Sequence, residues 1–132
     1  MIGVDTNVLA RLVVEDDASQ LEVARRFFAA RSPSSPAVIS LVVLAELTWV
    51  LRNPYSFSAE RIVDTVDAFL ASDDFLVERR NLVESALAQA RESRADIADC
   101  LIAVVAADLG ADSTATFDKK AAKRIPGMEL LK

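Results

Sequence analysis

The sequence contains no histidine and only one cysteine, Cys100, and these two scarcities exclude several kinds of chemistry. Without histidine there is no Ser-His-Asp or Cys-His catalysis and no imidazole general base. A single cysteine excludes an internal disulfide framework and argues against a structural zinc site. Catalysis would therefore have to use carboxylates, hydroxyls, lysine or arginine. The absence of a disulfide framework is typical of a reducing compartment, so we expect a cytoplasmic protein.

Glycine, proline and long apolar runs are also scarce. Three glycines and four prolines predict few long loops. The uncharged apolar runs are far shorter than the ~20 residues that span a bilayer, and no basic start precedes a long apolar block. We therefore expect no membrane segment and no signal peptide. The net charge of −5 argues against passive, charge-driven binding of nucleic acid, although it allows an enzyme that acts on nucleic acid through a metal ion and a local basic rim.

The composition that remains is that of a globular domain. The chain has 132 residues, of which 52% are apolar and 27% charged, so we predict one domain over residues 1–132. Abundant alanine and leucine favour helices. Twenty acidic residues without histidine favour hard cations such as Mg²⁺ or Mn²⁺, which prefer oxygen ligands.

Short apolar strands alternate with amphipathic helices along the whole chain. The predicted strands are Met1–Val4, Ala37–Ile39, Phe75–Val77, Ser113–Thr116 and Met128–Leu131. The predicted helices are Val8–Val14, Ser19–Arg31, Leu41–Leu51, Ser58–Ala71, Asn81–Arg94, Ala95–Leu109 and Lys119–Arg124. This alternation predicts an α/β fold, a three-layer α/β/α sandwich with a short parallel sheet of four to five strands.

Polar residues mark several of the predicted helix starts. Ser19 with Glu22 predicts a capping box, and Ser40 and Ser58 are predicted N-caps. Asn81, three residues before a glutamate, is predicted to open the helix that follows it. The helix Ala95–Leu109 is apolar nearly all round after its first turn, which predicts burial in the middle of the domain.

Acidic residues from four segments are predicted to meet at one edge of this sheet. Asp5 ends the first strand, which we expect to be buried, and Asp118 follows the fourth. Asp96 and Asp99 lie in the first turn of the apolar helix, and Glu46 lies one to two turns into the helix after the second strand. Helices that follow parallel strands begin at the carboxyl edge of the sheet, where ligands bind in open α/β folds.

Crowded carboxylates repel one another and resist ionisation unless a cation compensates them. A divalent metal ion relieves this repulsion, activates a bound water and neutralises charge on a phosphate. Metal-dependent hydrolysis of phosphodiesters is therefore the reaction class that this arrangement favours.

Each acid also has a purely structural interpretation, and the residues alone leave these open. Asp5 has the features of a turn residue, and Asp96 and Asp118 those of helix N-caps. Asp99 would interact favourably with a helix dipole, and Glu46 would extend into solvent.

Three further side chains have alternative interpretations. Cys100 has no histidine to activate it, so we interpret it as core packing. Trp49 and Tyr55 are candidates for stacking on a base, but an exposed rim or a subunit contact is the favoured interpretation.

Four segments, in this order, carry a resemblance to a known family: IGVDTNVLARLVVEDD, LVVLAELTWVLR, ADIADCLIAVVAADLGA and TFDKKAAKRIPGMELL. Together they resemble the PIN-domain ribonucleases, and more narrowly the VapC toxins of bacterial and archaeal toxin–antitoxin pairs. The resemblance implies a compact α/β/α sandwich, an acidic pocket for Mg²⁺ or Mn²⁺ and endonucleolytic cleavage of RNA. It also implies a homodimer and inhibition by a cognate VapB antitoxin.

The resemblance assigns the family's acidic residues to Asp5, Glu46, Asp99 and Asp118. Asp5 and Asp99 would hold the metal directly, Asp118 directly or through water, and Glu46 would complete the shell or orient the attacking water. Asp96 matches an additional acid of many members, and the residues that match supporting polar positions are Thr6, Asn7 and Thr116.

Contacts with RNA and with the antitoxin are expected around this pocket. The candidates for gripping the RNA backbone are Arg11, Arg52, Lys119 and Lys120. We expect an antitoxin arginine to pair with the carboxylates. We expect the antitoxin helix to bind a hydrophobic groove near the first helices.

Three other interpretations of the sequence compete with the PIN-domain ribonuclease. A haloacid-dehalogenase-like phosphatase needs a second aspartate two residues after the first, where this chain has Asn7. A receiver-type signalling domain needs an aspartate after the third strand, where Glu78-Arg79 stands. A non-catalytic scaffold or RNA-binding module on the same fold would be favoured by a missing pocket acid, and none is missing.

Overall fold

All five predicted strands and all seven predicted helices are present in the computed structural model, which describes residues 1–132. The strands are β1 (Ile2–Gly3), β2 (Ala37–Ile39), β3 (Phe75–Val77), β4 (Thr114–Thr116) and β5 (Met128–Leu130). The helices are α1 (Thr6–Val13), α2 (Ala18–Ala29), α3 (Leu41–Arg52), α4 (Ala59–Ala71), α5 (Arg80–Ser93), α6 (Ile97–Asp108) and α7 (Lys119–Arg124). The α/β class with parallel strands is confirmed.

The five strands are divided between two parallel sheets, and the chain divides into two compact units that each contain one sheet. The first unit comprises Met1–Phe57 and Asp64–Glu78, and the second comprises Ser58–Val63 and Arg79–Lys132. The sheet of the first unit has the order β1-β2-β3, and that of the second pairs β4 with β5. The sequence pattern locates these strands, but it does not show which of them are neighbours. Strands of two or three residues have few backbone groups for pairing, so their partners depend on the rest of the fold.

The first unit has its core beneath α3. Leu44, Leu47 and Leu51 of this helix have no exposed surface, and neither has Leu9 of α1. Helix α1 packs against both α2 and α3. A chain of aromatic contacts continues the core, because the ring of Phe75 lies 5.5 Å from that of Phe28 and 5.0 Å from that of Phe69. Burying such leucine and phenylalanine side chains contributes about 1.5–3 kcal/mol each.

The second unit is organised around the packing of α5 on α6. Val83 of α5 and Cys100 of α6 have no exposed surface, and Ile125, which follows α7, is 2% exposed. Strand β4 aligns with β5 from Thr114 opposite Met128 to Thr116 opposite Leu130. The short helix α7 lies between these two strands in sequence and contacts both.

Two of the residues predicted to open helices, Ser19 and Asn81, do not do so. Helix α2 begins one residue before Ser19, and its N-cap is Asp17, which accepts the Gln20 backbone N–H at 3.1 Å. The hydroxyl of Ser19 donates to Asp17 instead of capping the helix. Aspartate and serine are about equally good N-caps, so the competition was decided by position in the turn and not by residue type.

Helix α5 begins at Arg80, and its N-cap, Arg79, has a left-handed backbone with no capping side chain. Asn81, which was predicted to open this helix, is therefore its second residue, and Glu84 forms an ion pair with Arg80 at 2.7 Å. The predicted cap of α4 is confirmed, since Ser58 accepts the Arg61 backbone N–H at 3.1 Å.

Two burial predictions also differ from the structure. Both residues of β1 are exposed, because β1 is an edge strand of its sheet and pairs with β2 alone. Helix α6 is buried on one side only, through Ile97, Cys100, Leu101 and Ala103, whereas Ile102 is 53% exposed. Helix α6 therefore has more apolar side chains than the fold buries. No helix of the structure is long and apolar enough to cross a membrane.

Candidate functional site

Asp5 connects β1 to α1. It has an extended backbone and is the N-cap of α1, where its Oδ1 accepts the backbone N–H of Val8 at 3.1 Å. The side chain is exposed. The structural interpretation of Asp5 was a turn residue, whereas in the structure it caps a helix, and this cap uses one of the two carboxylate oxygens. A ligand role for the other oxygen is compatible with the cap and stays a prediction.

The register of the first sheet places three polar residues at one level of its carboxyl edge. Gly3 is opposite Val38, and Val38 is in turn opposite Leu76. Two residues further along each strand, the same register brings Asp5, Ser40 and Glu78 to the end of the sheet. Each of these three residues accepts a hydrogen bond from the first turn of a helix.

Ser40 and Glu78 share the N-terminus of α3. The Ser40 hydroxyl accepts the Val43 backbone N–H at 3.2 Å, and Oε1 of Glu78 accepts the Leu41 backbone N–H at 2.8 Å. Helices leave their first N–H groups without partners inside the helix, so both contacts satisfy a group that needs one. The capping role predicted for Ser40 is confirmed.

Sequence reasoning missed the role of Glu78. The signal was present, because Glu78 directly follows β3 just as Asp5 nearly directly follows β1. From the sequence, Glu78 was used only to argue against a receiver-type domain. Its partner Leu41 lies 37 residues away in sequence, so the contact has no local pattern.

Glu46 lies in the middle of α3 on its exposed side. Its neighbours Leu44 and Leu47 are fully buried, whereas Glu46 itself is exposed. Trp49, one turn further along, is 64% exposed. The buried leucines fix the rotation of the helix and thereby fix the direction from which Glu46 leaves it.

Asp96 and Asp99 begin α6 in the second unit. Asp96 is the N-cap and accepts the Ala98 backbone N–H at 2.8 Å, and Asp99 lies in the first turn. Both are half-buried, so the burial predicted for Asp99 is only partial. Favourable interaction with the helix N-terminus applies to both carboxylates.

The thiol of Cys100 lies beneath these two acids. Burial, together with the nearby charges of Asp99 and Asp96, raises the pKa of Cys100 to about 11. A thiol with that pKa carries almost no thiolate at neutral pH and is not a nucleophile. The interpretation of Cys100 as core packing is supported.

Asp118 is the N-cap of α7, and two hydrogen bonds fix its position. Its Oδ1 accepts the Ala121 backbone N–H at 3.0 Å, and its own backbone N–H donates to the Thr116 hydroxyl at 3.0 Å. Thr116 therefore positions Asp118 through the backbone and not through the carboxylate. Of the other supporting residues, Thr6 is 5% exposed and Asn7 is exposed.

The donor set predicted for a metal consists of carboxylate oxygens, which is the chemistry that Mg²⁺ and Mn²⁺ prefer. The structure holds no group of three or more Asp, Glu or Cys side chains placed to bind one metal ion. Each predicted ligand except Glu46 and Asp99 caps a helix with one oxygen. The assignment of Asp5, Glu46, Asp99 and Asp118 to one site stays a prediction.

A groove of about 740 Å³ runs along β1, α1 and α2, where a hydrophobic groove was predicted. Its apolar wall includes Val4, Val8, Val23 and Phe27. Its polar wall includes Asp5 and Asn7, followed by Arg11, Ser19 and Gln20. The groove therefore reaches the carboxyl edge of the first sheet.

Arg11 is part of a cluster that the sequence did not indicate. Its Nη1 donates to Asp16 at 2.6 Å, and the Tyr55 hydroxyl donates to the other oxygen of Asp16 at 2.8 Å. The Tyr55 hydrogen bond and the Arg11 charge lower the pKa of Asp16. Asp16 is an exposed bend residue between α1 and α2, and both of its carboxylate oxygens have a hydrogen-bond partner. Among the other cationic candidates, Arg52, Lys119 and Lys120 are exposed.

Comparisons with known proteins identify the family. A family model described as the PIN domain matches residues 2–127. No curated protein matches the chain. The crystal structure of Mycobacterium tuberculosis VapC20, described as a sarcin-ricin loop cleaving toxin, is 20% identical to this chain. That likeness covers 95% of this chain and 96% of VapC20 with a TM-score of 0.46. Because the family model spans nearly the whole sequence, the chain belongs to the PIN-domain family.

Proposed function

We propose that this protein is a metal-dependent endoribonuclease and the toxin of a VapBC toxin–antitoxin pair, acting as a single domain in the cytoplasm. Membership of the PIN-domain family over residues 2–127 is the observation that carries the proposal. The four segments that resemble VapC toxins support the narrower assignment, and they retain the family's four acids at Asp5, Glu46, Asp99 and Asp118.

The carboxylates have separate roles in this proposal. Asp5 and Asp99 hold Mg²⁺ or Mn²⁺ directly, Asp118 binds it directly or through water, and Glu46 completes the shell or orients the attacking water. A bound divalent ion lowers the pKa of its water towards ~7 and neutralises charge on the phosphate. Asp5 and Asp118 are pre-oriented for this role, because each has one oxygen fixed by a backbone N–H.

The RNA backbone needs cations near the acids. Lys119 and Lys120 begin the helix that Asp118 caps, and both are exposed. We assign phosphate contacts to these lysines and to Arg52. Arg11 is a weaker candidate than the sequence indicated, because Asp16 already holds its guanidinium.

The test is cleavage of a structured RNA by the purified protein with Mg²⁺ or Mn²⁺. We expect cleavage by the wild type, loss of cleavage with EDTA, and loss of cleavage in Asp5→Asn and Asp99→Asn. Asp73→Asn is a matched control, since Asp73 is an exposed turn residue outside the proposed site. Mapping of RNA ends after brief expression, with Asp5→Asn for comparison, then identifies the target RNA.

Activity that survives both EDTA and the two Asp→Asn substitutions would overturn the metal mechanism. A wild type that binds RNA with no cleavage under either ion would instead support the non-catalytic scaffold. A Mg²⁺-dependent phosphatase would release phosphate from a small phosphomonoester, and the PIN assignment predicts that this protein does not.

The groove along β1, α1 and α2 is our proposed site for the apolar helix of a VapB-type antitoxin. Its apolar lining supports this choice, and its proximity to Asp5 allows an antitoxin arginine to pair with the carboxylates. Val23 lines the groove and is 58% exposed. We expect Val23→Arg to abolish co-purification of the partner while RNA cleavage persists.

A matched control for this experiment is Leu109→Arg, which adds the same charge at an 82% exposed position on the other unit. Retention of the partner by both variants would overturn the groove assignment. The absence of a small partner gene beside this one and of any co-purifying protein would overturn the antitoxin proposal itself.

The proposed homodimer has its own candidate surface on α3. Val42 is 79% exposed and Trp49 is 64% exposed, and their spacing of seven residues places them on one helix face. We expect Trp49→Ser to shift sedimentation from dimer towards monomer. A wild type that sediments as a monomer at micromolar concentration would overturn the dimer.

A further inference from the structure

Glu78 holds the turn between β2 and α3 at two points. Its backbone N–H donates to the carbonyl of Ile39 at 2.9 Å. Its carboxylate oxygen Oε1 accepts the backbone N–H of Leu41 at 2.8 Å. The two contacts lie on either side of Ser40, the residue at which the strand ends and the helix begins.

Both contacts favour one geometry of the turn. The backbone bond continues the register of β2 with β3, so it fixes where Glu78 stands relative to the strand. The side-chain bond then fixes the first N–H of α3, which otherwise has no partner inside the helix. A carboxylate at this position also interacts favourably with the positive end of the helix dipole.

The helix that Glu78 holds carries Glu46. From Leu41 to Glu46 is less than one and a half turns of helix, so a small rotation at the N-terminus moves the Glu46 carboxylate with it. The buried leucines of α3 restrain the opposite side of the helix, but they do not hold its first residue. The contact from Glu78 supplies that restraint.

We propose that Glu78 is a positioning residue for Glu46, acting by clamping the β2–α3 turn. This inference rests on the proposed ribonuclease function, in which Glu46 works at the metal site. Glu78 itself is not assigned as a ligand. The clamp needs an acceptor oxygen at the reach of a glutamate side chain, and it does not need the negative charge.

That distinction determines the variants. Glu78→Gln keeps an oxygen at the same reach and removes the charge. Glu78→Asp keeps the charge but is one methylene too short, and Glu78→Ala removes both. Glu92→Ala, which alters an exposed glutamate of α5, is the matched control.

We expect Glu78→Ala and Glu78→Asp to lower kcat for RNA cleavage by about 10- to 100-fold, the range seen when a residue that orients a metal ligand is removed. KM should stay within about threefold of the wild type, because the RNA contacts are untouched. Glu78→Gln and Glu92→Ala should retain wild-type kcat. Wild-type kcat in Glu78→Ala, or a loss in Glu78→Gln equal to that in Glu78→Ala, would overturn the positioning role.

Hydrogen exchange at the Leu41 amide tests the contact without activity. We expect protection in the wild type and in Glu78→Gln, and faster exchange in Glu78→Asp and Glu78→Ala. Equal exchange in all four proteins would overturn the clamp. If the wild type cleaves no RNA, the proposed function fails, and the Leu41 amide still decides whether Glu78 holds the turn. If Glu78→Ala does not fold, the Asp and Gln variants decide the question.

Discussion

Helices α1 and α6 begin in the same way, yet they present their first turns in different surroundings. Each is capped by an aspartate that accepts a backbone N–H, Asp5 at 3.1 Å and Asp96 at 2.8 Å. Asp5 is exposed at the end of a strand, whereas Asp96 is half-buried with a second acid, Asp99, three residues later. Capping therefore does not distinguish the proposed metal ligand Asp5 from the proposed supporting residue Asp96, because both accept a backbone N–H from the first turn.

The two helices also differ in what their remaining surface contacts. The side chains of α1 divide between the core and the groove that it lines with α2. Helix α6 packs one side on α5 and leaves Ile102 exposed on another, and Leu109, directly after the helix, is exposed too. The apolar sequence therefore predicted the boundaries of α6 to within two residues but overstated its burial.

The largest expected effect distinguishes Asp5 from Asp96 by how much each contributes to the rate of RNA cleavage. Asparagine caps a helix about as well as aspartate but is a poor metal ligand, so Asp→Asn removes charge and keeps the cap. We expect Asp5→Asn to lower RNA cleavage by about 100-fold or more, since a metal contributes several kcal/mol to the transition state. Asp96→Asn, at a supporting position, should retain activity within about tenfold. Equal losses in both would place the two aspartates in the same role.

The next effect compares the buried anchors of the two helices. Leu9 of α1 has no exposed surface and Leu101 of α6 is 5% exposed. We expect Leu9→Ala and Leu101→Ala each to lower the free energy of unfolding by about 2–5 kcal/mol in urea titrations. Leu109→Ala, at an 82% exposed site, should stay within about 0.5 kcal/mol. A large effect at Leu109 would show that this surface is covered in solution.

A smaller effect isolates the caps themselves. Replacing an N-cap aspartate by alanine costs about 1 kcal/mol. We expect this loss in both Asp5→Ala and Asp96→Ala, measured by thermal or urea unfolding, and almost none in the corresponding Asn variants. If Asp5→Ala were as stable as the wild type, the Val8 hydrogen bond would contribute nothing and the two helix starts would differ in stability as well.

The smallest effect concerns the far ends of the two helices, where each has an ion pair: Arg11 with Asp16 near α1, and Arg79 with Asp108 at α6. The pKa of Asp16 is lowered in the folded protein, chiefly by the Tyr55 hydroxyl and also by Arg11. A lowered pKa stabilises the fold above the ordinary pKa of about 4, and this stabilisation is lost as the pH falls through the lowered value.

Asp16→Asn should therefore lower Tm at pH 7, and the difference from the wild type should shrink as the pH falls below about 4. Tyr55→Phe is the companion variant, because it removes only the hydroxyl that contributes most to the shift. A constant difference in Tm from pH 7 to pH 2 would show that the ionisation of Asp16 does not stabilise the fold.

Much of the fold could be predicted because its signals are local. Asp118 located the start of α7, and Ser40 located that of α3. Short runs of strand-forming residues between turn residues predicted the positions of all five strands. Local signals failed where two caps competed, as at Asp17 and Ser19, and where burial depended on distant packing, as at Ile102.

The contacts of the candidate site also differ in whether they are local in sequence. The sequence indicated each acid, and the structure shows what holds Asp5, Asp96 and Asp118 in place. It could not indicate the Glu78 contact with Leu41 or the Asp16 contact with Tyr55, since these pairs are 37 and 39 residues apart. Contacts of that kind depend on strand register and loop geometry, which short motifs do not encode.

Under the proposed function, the groove along β1, α1 and α2 shares Asp5 and Asn7 with the metal site, so a partner in the groove and RNA at the site would affect each other's binding. Linkage is reciprocal: a partner that weakens RNA binding by a given factor is itself weakened by RNA by the same factor. In a cell, the ratio of RNA to partner would then set the active fraction of the protein.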